Sequence, residues 1–432
     1  LPKGQQALFF AMNIIEPDLF SRLRALPRPA WILFLGTFLN KFGTFVLPFL
    51  TLYLTHRGFT LNDAGLAISA YGVGSLLASA LGGHLADAIG RRKTIALSMF
   101  SVAAAMMLLS QSKSLPAIIT STFLAAMTGE LYRPASSALL ADLVPPELRV
   151  TAFAAYRMAF NAGFAFGPAT AGFLAARGYL WLFAGDAATS VLFGVIALVA
   201  LPRGLPVRRN EGDWRDDFKA LAVDGKFIRV LGAAFCIALV FQQIGSTFSL
   251  HVTSPGFPAT TYGLILSLNG VLVVCCELPL TTVTRRFPSR VVMAAGYLLI
   301  GAGFSLNALV HSMPGLVACV VIFTFGEMTA MPVSTAYVAE LSPAHLRGRY
   351  MGAYALTWSA ALICAPQLGL RIFGVAPAAL WLTCGALGLL AAAIIMPFYR
   401  FSRDQMSQSP AVSRDRSFNE KVPRMVGDVE PK

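Results

Sequence analysis

Long apolar runs dominate this chain, and they limit its fold more than any other feature. They lie at about residues 31–54, 64–88, 94–111, 116–140, 150–176, 180–201, 230–252, 260–284, 289–310, 314–340, 348–372 and 376–399. A helix crosses a bilayer with about 20 apolar residues, so each run is a candidate membrane span. Only 13% of the 432 residues are charged and 56% are hydrophobic, whereas a soluble domain carries roughly a quarter charged residues. The expected fold is therefore an all-α membrane protein, with twelve transmembrane helices in two pseudo-symmetric six-helix halves. The expected organisation is an N-terminal segment (1–30), a first bundle (31–201), a linker (202–229), a second bundle (230–399) and a disordered polar tail (400–432).

A formal charge of +13, from 34 Lys+Arg against 21 Asp+Glu, would raise nucleic-acid binding in a soluble protein. Here the basic residues fall between apolar runs, and topology explains them without nucleic acid. Placing both termini in the cytoplasm puts the short-loop Lys and Arg in a ratio of 9 inside to 4 outside. The expected location is a bacterial inner membrane, with no cleavable signal peptide. The cysteines Cys236, Cys275, Cys276, Cys319, Cys364 and Cys384 lack metal-type spacing and read as free packing thiols.

A constant shift of 198 superimposes the region after the fourth run on the region after the tenth. Pro134 falls on Pro332, Asp142 on Glu340, Pro145 on Pro343, Arg149 on Arg347, Tyr156 on Tyr354 and Pro168 on Pro366. Apolar helices alone would not align loop prolines and an acid-to-arginine spacing. Duplicated halves of this kind are a hallmark of secondary transporters, which hold substrate near mid-bilayer and rock one half against the other; a duplicated channel or membrane-embedded enzyme is the alternative reading of the repeat.

Between the second and third runs stands Gly82-Gly83-His84-Leu85-Ala86-Asp87-Ala88-Ile89-Gly90-Arg91-Arg92-Lys93. This stretch resembles the loop signature of the major facilitator superfamily, with Gly83, Leu85, Asp87, Gly90, Arg91 and Arg92 in register. The glycines permit close helix approach and a positive-φ turn. The resemblance implies that the loop braces the outward-open state through Asp87 and Arg91, with Asp142 as partner. A basic topogenic loop is the plainer reading of the same residues.

The fifth run contains Gly163, Gly167, Pro168 and Gly172, similar to the glycine–proline element of proton-coupled antiporters in that superfamily. Small residues four apart let helices pack backbone to backbone, and Pro168 removes one ladder bond. Ala171 stands where the element has a glycine, and Ala125 stands where the family has an arginine in the fourth run. A purely structural packing face is the alternative.

Charges at the centre of a span cost about 2.5–3.5 kcal/mol on insertion scales, so intramembrane ionisable groups carry functional interest. Glu130 and Glu327 fall near mid-span in nearly equivalent places, and the resemblance implies that both helices line a central cavity. Arg133, three residues after Glu130, can pair with it. Glu130, Arg133, Glu327 and Arg157 are thus the proton-coupling candidates, and a permanently paired cluster of Glu130, Arg133 and Arg157 is the competing reading. Asn40, Lys41, Gln242, Gln243, Asn269 and Trp358 are candidate cavity groups. Glu277 is expected to pair with Arg285 or Arg286, and Asp186 to be hydrated.

Together with the resemblance, these features lead to a secondary transporter exporting small amphipathic or cationic compounds in exchange for protons. The alternatives are proton-coupled import of a sugar, peptide or organic acid, and a membrane receptor or sensor that transports nothing. The dispersed histidines and the lack of a metal cluster or nucleophile elbow oppose an enzyme, and the lack of a phosphate loop opposes direct ATP drive. The expected partners are a small-molecule substrate, protons and lipid, with no cofactor, no metal and no nucleic acid, and the chain is expected to act as a monomer.

Overall fold

The computed structural model describes residues 19–203, 223–284, 286–343 and 346–396. Residues 1–18, most of the expected linker, Arg285 and the 400–432 tail lie outside the described residues. Among the described residues the elements are helices joined by turns, with no strand.

After a short helix, Leu19–Arg24, the first six apolar runs fold in order. They form Arg28–Phe42 with Val46–His56, Leu61–Ile89, Arg91–Gln111, Leu115–Gly129 with Tyr132–Leu143, Arg149–Arg177, and Leu180–Ala200. The seventh to twelfth runs form Gly225–Phe241 with Thr247–Thr253, Ala259–Thr284, Ser289–Ser305, Met313–Leu341, Arg347–Val375 and Pro377–Ile395. Nine stretches among the described residues are long and apolar enough to cross a membrane, with Arg28–His56 taken as one. The other three expected runs, the fourth, fifth and seventh, are helical as well. Two of them are split, and the fifth carries Arg157 within its length.

Local chemistry sets the helix ends. Thr60 and Asp63 form a reciprocal capping box at the start of Leu61–Ile89: the Asp63 amide donates to Thr60 Oγ1 at 3.2 Å and the Thr60 amide to Asp63 Oδ2 at 3.0 Å. Proline stands in the first turn of Leu115–Gly129, Met313–Leu341 and Pro377–Ile395, where its missing N–H costs nothing. Gly90, at φ +91°, ends the second run in a conformation that favours glycine.

The first, fourth and seventh runs are each broken near the middle. In a bilayer such a break survives only where protein satisfies the freed backbone groups. At the first, the Val46 amide donates to Asp186 Oδ2 at 3.4 Å and Thr44 Oγ1 to the Asn40 carbonyl at 3.0 Å. At the fourth, Ser98 Oγ donates to the Thr128 carbonyl at 2.5 Å. At the seventh, the Tyr262 hydroxyl donates to the Ile244 carbonyl at 2.9 Å and Thr247 Oγ1 to the Gln243 carbonyl at 3.5 Å. The tenth run, the repeat counterpart of the fourth, is continuous through Glu327 and Pro332.

The helices up to Ile395 belong to one compact unit. Glycines bring the two repeats into backbone contact: a methyl group at Gly72 would lie 2.9 Å from Ile363 N in the eleventh run, and one at Gly270 would lie 2.7 Å from Ala165 N in the fifth. Such small-residue seams are how helices associate in lipid, where burial of apolar surface supplies no drive between them.

Candidate functional site

A cavity of about 330 Å³ lies between the repeats, within the range of small-molecule sites. Its charged lining is Arg133, Arg157, Glu277 and Glu327, and its softer walls are Tyr156, Phe160, Met328 and Met331. On the fifth helix the lining residues begin at Tyr156, seven residues in from Arg149, at about 1.5 Å rise each. The cavity therefore occupies the part of the bundle nearer the basic loops.

At the opposite end the repeats are pinned together. Asn62 Oδ1 accepts from Gln367 Nε2 at 2.5 Å and from Arg371 Nε at 3.1 Å. The Ala169 amide, one residue past Pro168 inside the continuous helix Arg149–Arg177, donates to Ser267 Oγ at 2.8 Å. Phe49 meets Tyr262 edge-on, with ring centres 5.1 Å apart.

Glu130 sits in the break of the fourth run and holds two cations. Its Oε2 accepts from Arg133 Nη1 at 3.2 Å, and its Oε1 lies 3.7 Å from Lys41 Nζ. Lys41 is buried between these groups, with its ammonium 5.0 Å from the Phe160 ring centre and 5.5 Å from that of Tyr132. The Lys41 and Glu130 side chains are 7% and 12% exposed, whereas Arg133 is 56% exposed into the cavity. The cation sealed behind Glu130 is thus Lys41, and the one offered to the cavity is Arg133.

Arg157 does not join Glu130. It forms an ion pair with Glu277 of the eighth run, and the pair joins the two repeats. The pairing of Glu277 expected from sequence is with Arg285 or Arg286; Arg285 lies outside the described residues, and the pair formed among the described residues is with Arg157. Glu277 lies on the cavity side of its helix, and Arg157, at 53% exposure, reaches it across the cavity.

Glu327 stands fourteen residues from each end of Met313–Leu341. Its Oε2 accepts from Asn269 Nδ2 at 2.8 Å, and the same amide lies 2.9 Å from Thr324 Oγ1. Glu327 has no direct ion pair among those formed by the described residues. Asn269 is thus the one candidate polar group that the structure places against a cavity acid.

The remaining cavity candidates point elsewhere. Asn40 donates to Met99 Sδ at 3.5 Å in the third run. Gln243 is buried, donates to the Leu239 and Ala365 carbonyls at 3.0 and 3.2 Å, and so holds the seventh-run break against the eleventh. Gln242 is half-buried at that break, its carbonyl accepting from Ser246 Oγ at 3.1 Å. Trp358 packs edge-on with Phe241 at 6.0 Å, outside the cavity lining. Asp186, expected to be hydrated, is 5% exposed and accepts the Val46 amide at the start of the outer half-helix of the first run. A carboxylate there complements the positive end of Val46–His56. Sequence reasoning missed this because the capped helix start exists only once the first run breaks.

In the loop after the second run, Arg91 is buried, pairs with Asp142 and donates to the Ala138 carbonyl at 2.8 Å. Arg92 donates to the Leu201 carbonyl at 3.4 Å, and Asp87 is exposed. The close helix approach expected of Gly83 belongs to its neighbour: a methyl at Gly83 would meet nothing within 4 Å, while one at Gly82 would lie 2.8 Å from the Leu131 carbonyl oxygen. In the fifth run, methyls at Gly163 and Gly167 would lie 2.7 Å from Phe42 N and 2.6 Å from Phe42 O, and one at Gly172 would lie 2.9 Å from Thr260 Cα. The glycine–proline element therefore clasps the break of the first run on one side and the eighth run on the other.

Comparison with known proteins bears on what this arrangement does. The sequence profile of the Major Facilitator Superfamily matches residues 33–276 and 230–425. The chain is 25% identical over 401 residues to YqjV of Bacillus subtilis (strain 168), an uncharacterized MFS-type transporter, covering 90% of this chain and 96% of that protein. It is also 25% identical over 367 residues to a Na(+), Li(+), K(+)/H(+) antiporter of Planococcus maritimus, covering 76% and 85%. A shorter match, 25% over 172 residues, covers 40% of this chain and 44% of the quinolone resistance protein NorA of Staphylococcus aureus. Among solved structures, the nucleoside transporter NupG superimposes with a TM-score of 0.75 at 14% identity, covering 85% of this chain and 99% of that one.

Proposed function

This chain belongs to the major facilitator superfamily, a family of transporters rather than enzymes, and from that premise we propose that it exports small amphipathic or cationic compounds in exchange for protons. It does so by alternating access, as a multi-pass protein of a bacterial inner membrane with both termini in the cytoplasm. The closed end with its Asn62, Gln367 and Arg371 contacts then faces outward, and the cavity opens to the cytoplasm, where a substrate for export is collected.

The observation that carries this reading is Glu327, a mid-span carboxyl on the cavity wall whose hydrogen-bond donor is a neutral amide. A buried acid exchanges protons without structural loss when no buried cation depends on its charge. Protonating Glu130 would strand both Lys41 and Arg133, so Glu130 is the brace and Glu327 is the proton site. Relatives named for cation/proton exchange and for quinolone resistance support the direction and the substrate class.

The cycle follows from competition at one carboxyl. In the inward-facing state a cationic substrate displaces the proton from Glu327, its apolar part lying against Phe160, Met328 and Met331. After reorientation, proton binding from outside releases it. Because each ligand biases the state that it binds better, flux of one drives the other.

Purified protein in liposomes, with an imposed pH gradient and ethidium as probe, tests the reading. The native chain moves ethidium against its gradient and Glu327→Gln does not, while both fold and insert alike. Gradient-driven movement by Glu327→Gln overturns the assignment. A second reading, proton-coupled import of an anionic solute, is favoured by the exposed guanidinium groups of Arg133 and Arg157. It predicts accumulation of a labelled acid inside and no proton-driven loss of ethidium.

A further inference from the structure

The shift of 198 that aligns the two repeats also aligns their closed ends. Gly58 and Gly256 correspond, and both take a positive φ, +82° and +95°. Tyr53 meets Phe183 edge-on at 4.9 Å, and their counterparts, His251 and Trp381, meet edge-on at 5.0 Å.

In the first repeat this seat holds a cation. Arg57 Nη1 donates to the Tyr53 hydroxyl at 2.8 Å and to the Ser112 carbonyl at 2.6 Å. One guanidinium thus ties the end of the half-helix Val46–His56 to the turn before Leu115–Gly129. In the second repeat Pro255 stands where the first has Arg57, Val310 where it has Ser112 and His311 where it has Lys113. His251 and His311 come together there, with ring centres 5.8 Å apart. His251 is 3% exposed and its Nε2 is buried without a hydrogen-bond partner, whereas His311 is exposed.

We propose that His251 and His311 bind a divalent metal ion of the zinc and copper class, which takes the bridging place that Arg57 fills in the first repeat. The site goes beyond the transport reading and does not depend on it. When bound, the ion fastens Thr247–Thr253, the half-helix past the seventh-run break, to the turn before Met313–Leu341.

Imidazole nitrogens suit Zn²⁺ and Cu²⁺, whereas Mg²⁺ and Ca²⁺ take oxygen ligands. The Val310 carbonyl is an acceptor for the His251 ring. A ring N–H held by a backbone carbonyl leaves a lone pair at the other nitrogen, which is the usual support of a metal-bound histidine. The spacing fits as well. A metal–nitrogen bond of about 2.0–2.1 Å puts each ring centre about 3.2 Å from the ion, and a tetrahedral angle then puts the two centres about 5.2 Å apart. From 5.8 Å the rings need to approach by about 0.6 Å, within reach of the exposed His311 side chain. Among the described residues no third His, Cys, Asp or Glu joins them, so water completes the coordination.

The test is a Cu²⁺ titration of the full chain in detergent, with any purification tag removed. Trp381 packs on His251, so an ion held there quenches its fluorescence. The expected result is a saturable, EDTA-reversible loss of emission at one Cu²⁺ per chain, with nitrogen ligands in the copper EPR spectrum and no loss of emission with Ca²⁺ or Mg²⁺. His311→Ala, at an exposed position, is expected to fold as the native chain does and to bind at least about tenfold more weakly, since even an outer support of a metal ligand is worth that much. His56→Ala keeps both ligands and is expected to bind as the native chain does. Zn²⁺ at about 100 times its dissociation constant is expected to raise the melting temperature of the native chain and to leave that of His311→Ala unchanged. Emission that falls without saturating, a His311→Ala protein that binds as tightly as the native chain, a His56→Ala protein that loses binding, or an equal Zn²⁺ shift in the native chain and His311→Ala overturns the site. None of these measurements involves transport, so their failure and the failure of the export reading are separate results.

Discussion

Gly163 and Gly83 both belong to glycine motifs, yet the structure gives them opposite sensitivities to one added methyl group. At Gly163 that methyl would lie 2.7 Å from Lys41 Cβ, 2.7 Å from Phe42 N and 2.8 Å from Phe38 O. Ordinary contact begins near 3.4 Å, so the first run must retreat by 3.4 − 2.7 = 0.7 Å. None of the three atoms is the end of a flexible side chain, and the overlap cannot be relieved by a rotamer change. Overpacking of this kind costs about 1–3 kcal/mol. At Gly83 the methyl meets nothing within 4 Å. Alanine gains about 1 kcal/mol over glycine in a helix at either site, so that contribution cancels in the difference between variants. Gly163→Ala is therefore expected to be less stable than Gly83→Ala by about 1–3 kcal/mol. Thermal unfolding of the two variants in one detergent, followed by tryptophan fluorescence, reads the difference as a lower melting temperature for Gly163→Ala. The same variant also moves Lys41 away from Glu130, so its ethidium export falls with its stability. A Gly163→Ala protein that melts at or above Gly83→Ala would refute the packing argument and return the glycine element to a role unconnected with the first run.

Four further outcomes are expected. Glu130→Gln strands Lys41 and Arg133 and destabilises the protein by about 3–5 kcal/mol, visible as reduced folded yield on size exclusion, whereas Glu327→Gln leaves yield near the native level. Asp186→Ala removes the acceptor of the Val46 amide and costs about 1–3 kcal/mol; increased labelling of cysteines placed in Val46–His56 reports the loosened half-helix, and unchanged labelling counts against the cap. Gly90→Ala forces a side chain into φ +91° at a cost of about 1–3 kcal/mol, measurable as a lower melting temperature beside Gly83→Ala. Asn62→Ala removes the acceptor shared by Gln367 and Arg371, and crosslinking between cysteines in the second and eleventh runs near that end is expected to become less efficient.

The positions of the runs were legible because membrane spans are written in composition: some 20 apolar residues bounded by charge, proline or glycine can do little else in water. The capping box at Thr60 and the turn at Gly90 were equally local, fixed by residues a few positions apart. The breaks were harder to see. Gly43, Gly129 and Gly245 weaken a helix wherever they occur, but a break persists in lipid only if other helices satisfy the opened backbone, and Asp186, Ser98 and Tyr262 come from distant parts of the chain. Lys41 was recognisable as an intramembrane cation, but its seat behind Glu130 depends on how the first and fourth runs meet.

Sequence alone determined that this chain lives in lipid, that it is helical, that its two parts are copies and that a few charges sit where charges are costly. Those properties follow from short-range composition and spacing. The tertiary structure decided which charge answers which: Arg157 to Glu277 across the repeats, Lys41 to Glu130, and Glu327 to a neutral amide. The reason is rotational. A helix surrounded partly by lipid and partly by other apolar helices is apolar on nearly every side, so its sequence carries little record of which face turns inward. Only packing against neighbours fixes that angle, and the angle decides whether a buried carboxyl meets a cation or waits for a proton.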